Sequence, residues 1–156
     1  MTPTRPATLL SAGLIGLVAG YGLAWLVDRL GNGLPRVSWV AIVLLLFLAV
    51  LLLAGARRVR AWVNGDRPQE PGDALTMGRF VALAKAASVF GALMAGGYLG
   101  LAAVGLDRVA TDYGRDHVLW ALGGALGAVS VLVSALVLER ALQLPSDDED
   151  GATGAT

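Results

Sequence analysis

The sequence predicts an all-α integral membrane protein: a bundle of four transmembrane helices in antiparallel hairpins, with both termini cytoplasmic. Four stretches carry no charge for 20 to 22 residues each: Pro6–Val27, Val37–Ala56, Ala86–Leu106 and Val118–Leu138. About 20 residues at roughly 1.5 Å rise give about 30 Å, the thickness of a bilayer's hydrocarbon core. The chain has 156 residues, 56% hydrophobic and 15% charged, with a mean hydropathy of +0.66. A soluble domain of this size could not hide that much apolar surface. The basic residues, finally, divide unequally between the two sides that successive connections would occupy, which sets the orientation.

The first helix is expected at 7–27. Thr2-Pro3-Thr4-Arg5-Pro6 precedes it, with Thr4 or Arg5 in the cap region and Pro6 in the first turn, where its missing N–H costs nothing. A signal peptide would show an apolar run of roughly 7–15 residues and a small-residue cleavage site. This run is longer and lacks such a site, so the helix is expected to be retained. Asp28 to Arg36 (DRLGNGLPR) is a Gly- and Pro-rich turn long enough only to join adjacent antiparallel helices.

The second helix is expected at 38–56; its VAIVLLLFLAVLLL run has no glycine before its end and reads as lipid-facing. Ala61 to Met77 forms a loop, with Asn64-Gly65-Asp66, Pro68 and Pro71-Gly72-Asp73 as turn chemistry. The third helix, at 78–106, has Asp73 or Thr76 available as a cap, and Asp107 to His117 is a second short loop before a fourth helix at 117–140. The bundle thus occupies 1–144, and 145–156 (PSDDEDGATGAT) reads as a disordered acidic tail.

One side holds Arg5, Arg57, Arg58, Arg60, Arg67, Arg79 and Arg140, with Lys85 at the membrane edge; the other holds Arg29, Arg36, Arg108 and Arg115. An excess of Lys and Arg marks the cytoplasmic side, and Arg5, Arg57, Arg58, Arg60 and Arg140 would anchor the bundle there. Trp25, Trp39 and Trp120 fall at the expected outer boundary and Trp62 just past the inner one, the depth amphipathic indoles prefer.

Small residues at helical spacing let membrane helices approach closely. Gly16 and Gly20, Gly96 and Gly100, and Gly123 and Gly127 each form a Gly-x-x-x-Gly pair, and Ser130 and Ser134 extend the last of these. Such faces serve packing within the bundle, or docking of a partner helix or a second copy. Spacing alone does not separate the two. A short echo relates Gly20-Tyr21-Gly22 before Asp28-Arg29 to Gly97-Tyr98 before Asp107-Arg108. The offsets differ by two residues and the residue types are common here, so chance accounts for it.

Lys85 lies on a stripe with Ser88, Ala92, Gly96 and Gly100, a packing face rather than a lipid face. It either snorkels along its aliphatic stem or pairs with Glu139, which ends the fourth span on the same side.

Catalytic chemistry is sparse. With no cysteine and a single histidine, His117, there is no set of residues for a metal site or a nucleophilic triad, and no cofactor is expected. Twelve basic and 12 acidic residues balance to a net charge of zero, which argues against nucleic acid. Asp28, Asp107, Asp112 and Asp116 alternate with Arg29, Arg108 and Arg115 and read as local salt bridges in solvated loops.

Pro3-Thr4-Arg5-Pro6 with Leu9, Leu83-Ala84-Lys85-Ala86, the Gly-rich third span carrying Tyr98, and Leu138-Glu139-Arg140 before a Pro- and acid-rich tail occur in the order seen in one family. The chain resembles the actinobacterial membrane proteins grouped as domain of unknown function 3180. That resemblance implies a short four-span protein of the plasma membrane and carries no activity with it.

The expected function is therefore non-enzymatic: an accessory or scaffold subunit that binds a partner membrane protein, or itself, within the lipid bilayer. The alternative is a small transporter or transporter subunit using Lys85 and Glu139, which would need a cavity lined by Lys85, Ser88 and Tyr98. A membrane-embedded enzyme would need at least one more buried acid or histidine.

Overall fold

The computed structural model describes residues 6–31, 33, 37–63 and 73–143, without the side chains of 62, 63, 73–77 and 143. Arg5, Arg36, Arg67, the loop over 64–72, the indole of Trp62, the expected caps at Asp73 and Thr76, and the tail over 145–156 lie outside that description. Among the described residues the regular structure is four helices: α1 (Pro6–Arg29), α2 (Trp39–Val63), α3 (Asp73–Leu106) and α4 (Asp112–Gln143). All four contain segments long and apolar enough to cross a membrane.

Each helix outruns its expected limits, for identifiable reasons. At the end of α1, Gly31 takes φ +79° and its N–H donates to the Asp28 carbonyl at 3.1 Å, so the helix continues to Arg29 before a left-handed residue stops it. α2 continues through Arg57, Arg58 and Arg60 because arginine is a good helix former and its charge suits a helix C-terminus. α4 starts at Asp112 because Thr111 caps it: the Gly114 N–H donates to Thr111 Oγ1 at 3.2 Å, and Asp112 sits in the positive first turn.

The packing order is α1–α3–α4–α2. The short turn over 28–36 predicts adjacent helices, but α1 and α2 share no more than marginal contact. Contacts advance together along α1 and α3: Gly13 meets Ala92 and Gly96, Gly16 meets Leu93 and Gly97, and Gly20 meets Gly97 and Gly100. Along α3 and α4 they run in opposite orders, Gly91 against Leu132, Tyr98 against Gly124 and Gly105 against His117. α2 and α4 again advance together, Ile42 against Gly123 and Leu45 against Gly127.

The core sits between α2, α3 and α4 and is built largely of small residues, with Ala84, Ala95, Ala128, Ala135 and Ala141 around Val131 and Leu138. Lipid tails are as apolar as these side chains, so association is driven by close packing rather than by escape from solvent. The expectation that the second span is lipid padding needs correction. Leu45, Ala49, Leu52, Ala56 and Val59 are buried in the core, at alternating four- and three-residue steps that form one seam on α4. Val43, Leu44, Phe47, Val50 and Leu51 on its other faces are exposed.

Gly16, Gly20, Gly96 and Gly100 hold α1 and α3 at backbone contact. A Cβ on Gly16 would land on the Leu93 carbonyl, and one on Gly96 on the Gly13 carbonyl. Gly22, on the outer face of α1, has nothing within 4 Å. In a detergent-solubilised unfolding assay, Gly16→Leu and Gly96→Leu are each expected to cost at least about 1–3 kcal/mol, the usual cost of overpacking. Gly22→Leu is expected to be neutral or slightly stabilising, since it adds helix propensity without a clash.

Candidate functional site

Two ends of the bundle carry polar side chains, and they differ in how those side chains are engaged. At the first end, the C-termini of α1 and α3 meet the start of α4. The Arg108 guanidinium donates to both carboxylate oxygens of Asp28, at 2.7 and 2.9 Å. This is a fork-on-fork pair across 80 positions of sequence that ties α1 to the α3–α4 turn. The expectation of local salt bridges is therefore corrected for Asp28, because the parallel advance of α1 and α3 brings both helix ends to one place.

The same turn is braced from within. The Arg108 carbonyl accepts from the Thr111 N–H at 2.9 Å and from the Thr111 hydroxyl at 2.7 Å. A Cβ on Gly114 would collide with that carbonyl, so glycine is required for the turn to close onto α4. Arg29 lies 4.7 Å from the centroid of the Trp25 ring, one helical turn back. Trp25, Trp39 and Trp120 are each about half exposed or more, consistent with indoles at a membrane boundary.

His117 is buried. Its Nε2 lies 3.1 Å from the Leu101 carbonyl, which can only accept, so Nε2 carries the proton and donates. The ring occupies the space that a side chain on Gly105 would need. Sequence reasoning missed Gly91, Gly105, Gly114 and Gly124 as contact residues, because they lack the four-residue repeat that drew notice to the others. Gly124 receives the Tyr98 ring, and Gly91 lies against the backbone of Leu132.

At the opposite end lie Lys85 and Glu139. Ser88, Ala92, Gly96 and Gly100 are buried, as the α3 stripe implies, but Lys85 is exposed. The α1–α3 register sets Pro6 level with Leu83 to Val89, so Lys85 lies at the edge of the described cover of α1. Glu139 is buried on α4. The reversed α3–α4 register sets Lys85 level with Leu138, so the two charged residues share a depth while differing in exposure. Ser88 is fully buried, and its hydroxyl donates to the Lys85 carbonyl at 2.9 Å.

Gly123 and Gly127 face Ile42 and Leu45 of α2 at ordinary contact distance. Ser134 is buried, and Ser130 donates to the Leu126 carbonyl at 2.9 Å on a partly exposed face. No buried side-chain N or O among the described residues lacks a partner.

The fork between Arg108 and Asp28 is partly exposed, at 49% and 23% of the two side chains, so solvent screens it. A double-mutant cycle with Asp28→Asn and Arg108→Gln is expected to give a coupling of about 0.5–1 kcal/mol that shrinks in high salt. A coupling indistinguishable from zero would show that the pair does not join α1 to the α3–α4 turn.

No curated protein and no solved structure matches this chain. Residues 9–146, most of its length, match the family described as Protein of unknown function (DUF3180). A chain with four bilayer-length apolar helices and that match belongs to the DUF3180 family.

Proposed function

We propose that this protein is a non-enzymatic subunit of the plasma membrane that acts by holding a partner membrane protein. The observation that carries this reading is the one-sided use of the outer helices. Only 17% of the most apolar window of α1 and 22% of that of α2 is buried, against 50% for α4. Leu10, Leu14 and Val18 on α1, and Val43, Phe47 and Val50 on α2, are turned away from the core. A protein without a second use for these faces needs only lipid there; a scaffold presents them to another helix.

The glycine pairs on α1 and α3 do not supply that surface, since each is spent on the other helix. The docking face of the proposal is the aliphatic and aromatic one. The interior favours this reading over transport, because Ser88 is bonded to its own helix and the Tyr98 ring is packed on Gly124. The transporter alternative keeps one observation in its favour, the buried carboxylate of Glu139 at the depth of Lys85. Glu139→Gln should abolish uptake if that alternative holds and leave partner binding intact if the scaffold reading holds.

The topology proposed with this function has antiparallel neighbours α3 and α4 and both termini cytoplasmic. The reversed contact order of α3 and α4 supports the first, and the eight-to-four division of basic residues supports the second. A reporter fused after Gly33 is expected to read as external and one after Asp66 as cytoplasmic; the converse would invert the orientation.

A photo-crosslinking residue at Val18 or at Leu51, both exposed, is expected to capture one and the same membrane protein in native membranes. A reciprocal label on that protein should return this chain. Recovery of a lone monomer from both positions would contradict the scaffold reading.

A further inference from the structure

We propose that the acidic run over 147–150 (DDED) docks on the arginines that close α2 and α4 in the same chain, and so covers them from other anions. The proposal rests on the packing of the helices and not on the identity of any protein partner.

Arg57, Arg58 and Arg60 on α2 and Arg140 on α4 are exposed. Carried along both helices, the α2–α4 register sets Arg58 level with Arg140. Ala56, Val59, Leu138, Ala141 and Leu142 pack in one core cluster, so the last turns of α2 and α4 stay in contact. Four guanidinium groups thus belong to one pair of packed helix ends. None of them forms an ion pair with a described side chain; the salt bridge among the described residues lies at the opposite end. Arg57 and Arg60, three apart on the helix surface, repel each other unless a counter-charge stands near.

The full sequence identifies that counter-charge. Asp66, Glu70 and Asp73 are interleaved with Arg67 and followed by Arg79, so the connection from α2 to α3 carries bases of its own. Arg5 precedes α1, whose neighbour is α3. Glu139 is buried on α4, at the depth of Lys85. The acids that remain are Asp147, Asp148, Glu149 and Asp150, four in a row with no base among them. They match the four arginines in number and opposite sign, and a carboxylate accepts both donors of a guanidinium fork.

Reach fits as well. α4 ends at Gln143, and Pro145 disfavours further helix. Asp147 and Asp150 lie four and seven residues past that end. At about 3.3–3.6 Å per residue, those lengths of chain span up to about 13 and 25 Å. Packed helices lie about 8–10 Å apart, so the run can cross from α4 to α2. The loop to be closed is short, which keeps its entropic cost low. α3 offers Arg79 at the same level, one cation against three on α2.

The test uses the full chain in phosphatidylcholine vesicles, with pairs of introduced cysteines and a short thiol crosslinker. The registers set Ala61 on α2 and Gly78 on α3 at nearly one level, both exposed and both beside the end of α4. Ala152→Cys, two residues past the acids, is combined with either Ala61→Cys or Gly78→Cys. An undirected segment would meet both alike. The docked one is expected to join Ala61→Cys at least about fivefold faster, the factor of one well-formed exposed ion pair, and to lose that preference as salt rises. D147N/D148N/E149Q/D150N should remove the preference while leaving the four helices unaltered in sequence. R57Q/R58Q/R60Q/R140Q should remove it too, whereas R57K/R58K/R60K/R140K, which retains the charges, should keep it. Equal rates at the two positions, or a preference that survives in either neutralised variant, would overturn the proposal. Joined dimers from mixed chains carrying one cysteine each would assign the contact to a second copy and overturn it. Phosphatidylglycerol added to the vesicles should leave the preference in place; its loss would give the arginines to lipid and overturn the proposal too.

Discussion

The structure depends on one constraint: in hydrocarbon, helices gain nothing from leaving the solvent and must be held by close backbone approach. α3 meets that demand on two sides at once. Toward α1 it offers Ala92, Gly96, Gly97 and Gly100, and toward α4 it offers Gly91, Tyr98 and Gly105. A side chain at Gly16, Gly20, Gly96 or Gly100 would push α1 off the bundle, and with it the Asp28 carboxylate that Arg108 grips. The polar junction at one end thus follows from glycines in the apolar middle.

The same packing order explains which charges are quiet and which are not. Because α1 and α3 advance together, their C-terminal ends meet, and Asp28 and Arg108 there find each other. α1 begins level with Leu83 to Val89, so the first turns of α3 project past its described start and Lys85, at that edge, is exposed. α2 and α4 end together on that side and bring Arg57, Arg58, Arg60 and Arg140 to a common level. Among the described side chains that end carries six exposed cations and the buried Glu139, and the sequence adds seven acids in the segments that adjoin it.

Much of this was legible beforehand because hydrocarbon writes a blunt rule into sequence: about 20 uncharged residues per crossing. The four spans, their order and the glycine pairs on α1 and α3 could be read from length and spacing alone. Helix ends were less legible. Thr111 lies in a run of polar residues, and only its position before Asp112 signals a cap. Neighbour choice was illegible, since consecutive helices pair by default, whereas here α1 skips α2 for α3. Without that pairing, Asp28–Arg108 and the exposure of Lys85 could not be foreseen. The buried seam of α2 was hidden because an unbroken Leu- and Val-rich run gives every face the same appearance.

Helix adjacency is the claim on which the polar junction and the proposed docking faces both rest. The chain has no cysteine, so introduced pairs can be read without background. A short thiol crosslinker applied in membranes should join Ala12→Cys on α1 to Ala92→Cys on α3, two buried positions on the shared glycine face. It should fail to join Ala12→Cys to Leu46→Cys, which the registers place at a similar depth on α2. Efficient joining of α1 to α2, with none between α1 and α3, would contradict the account.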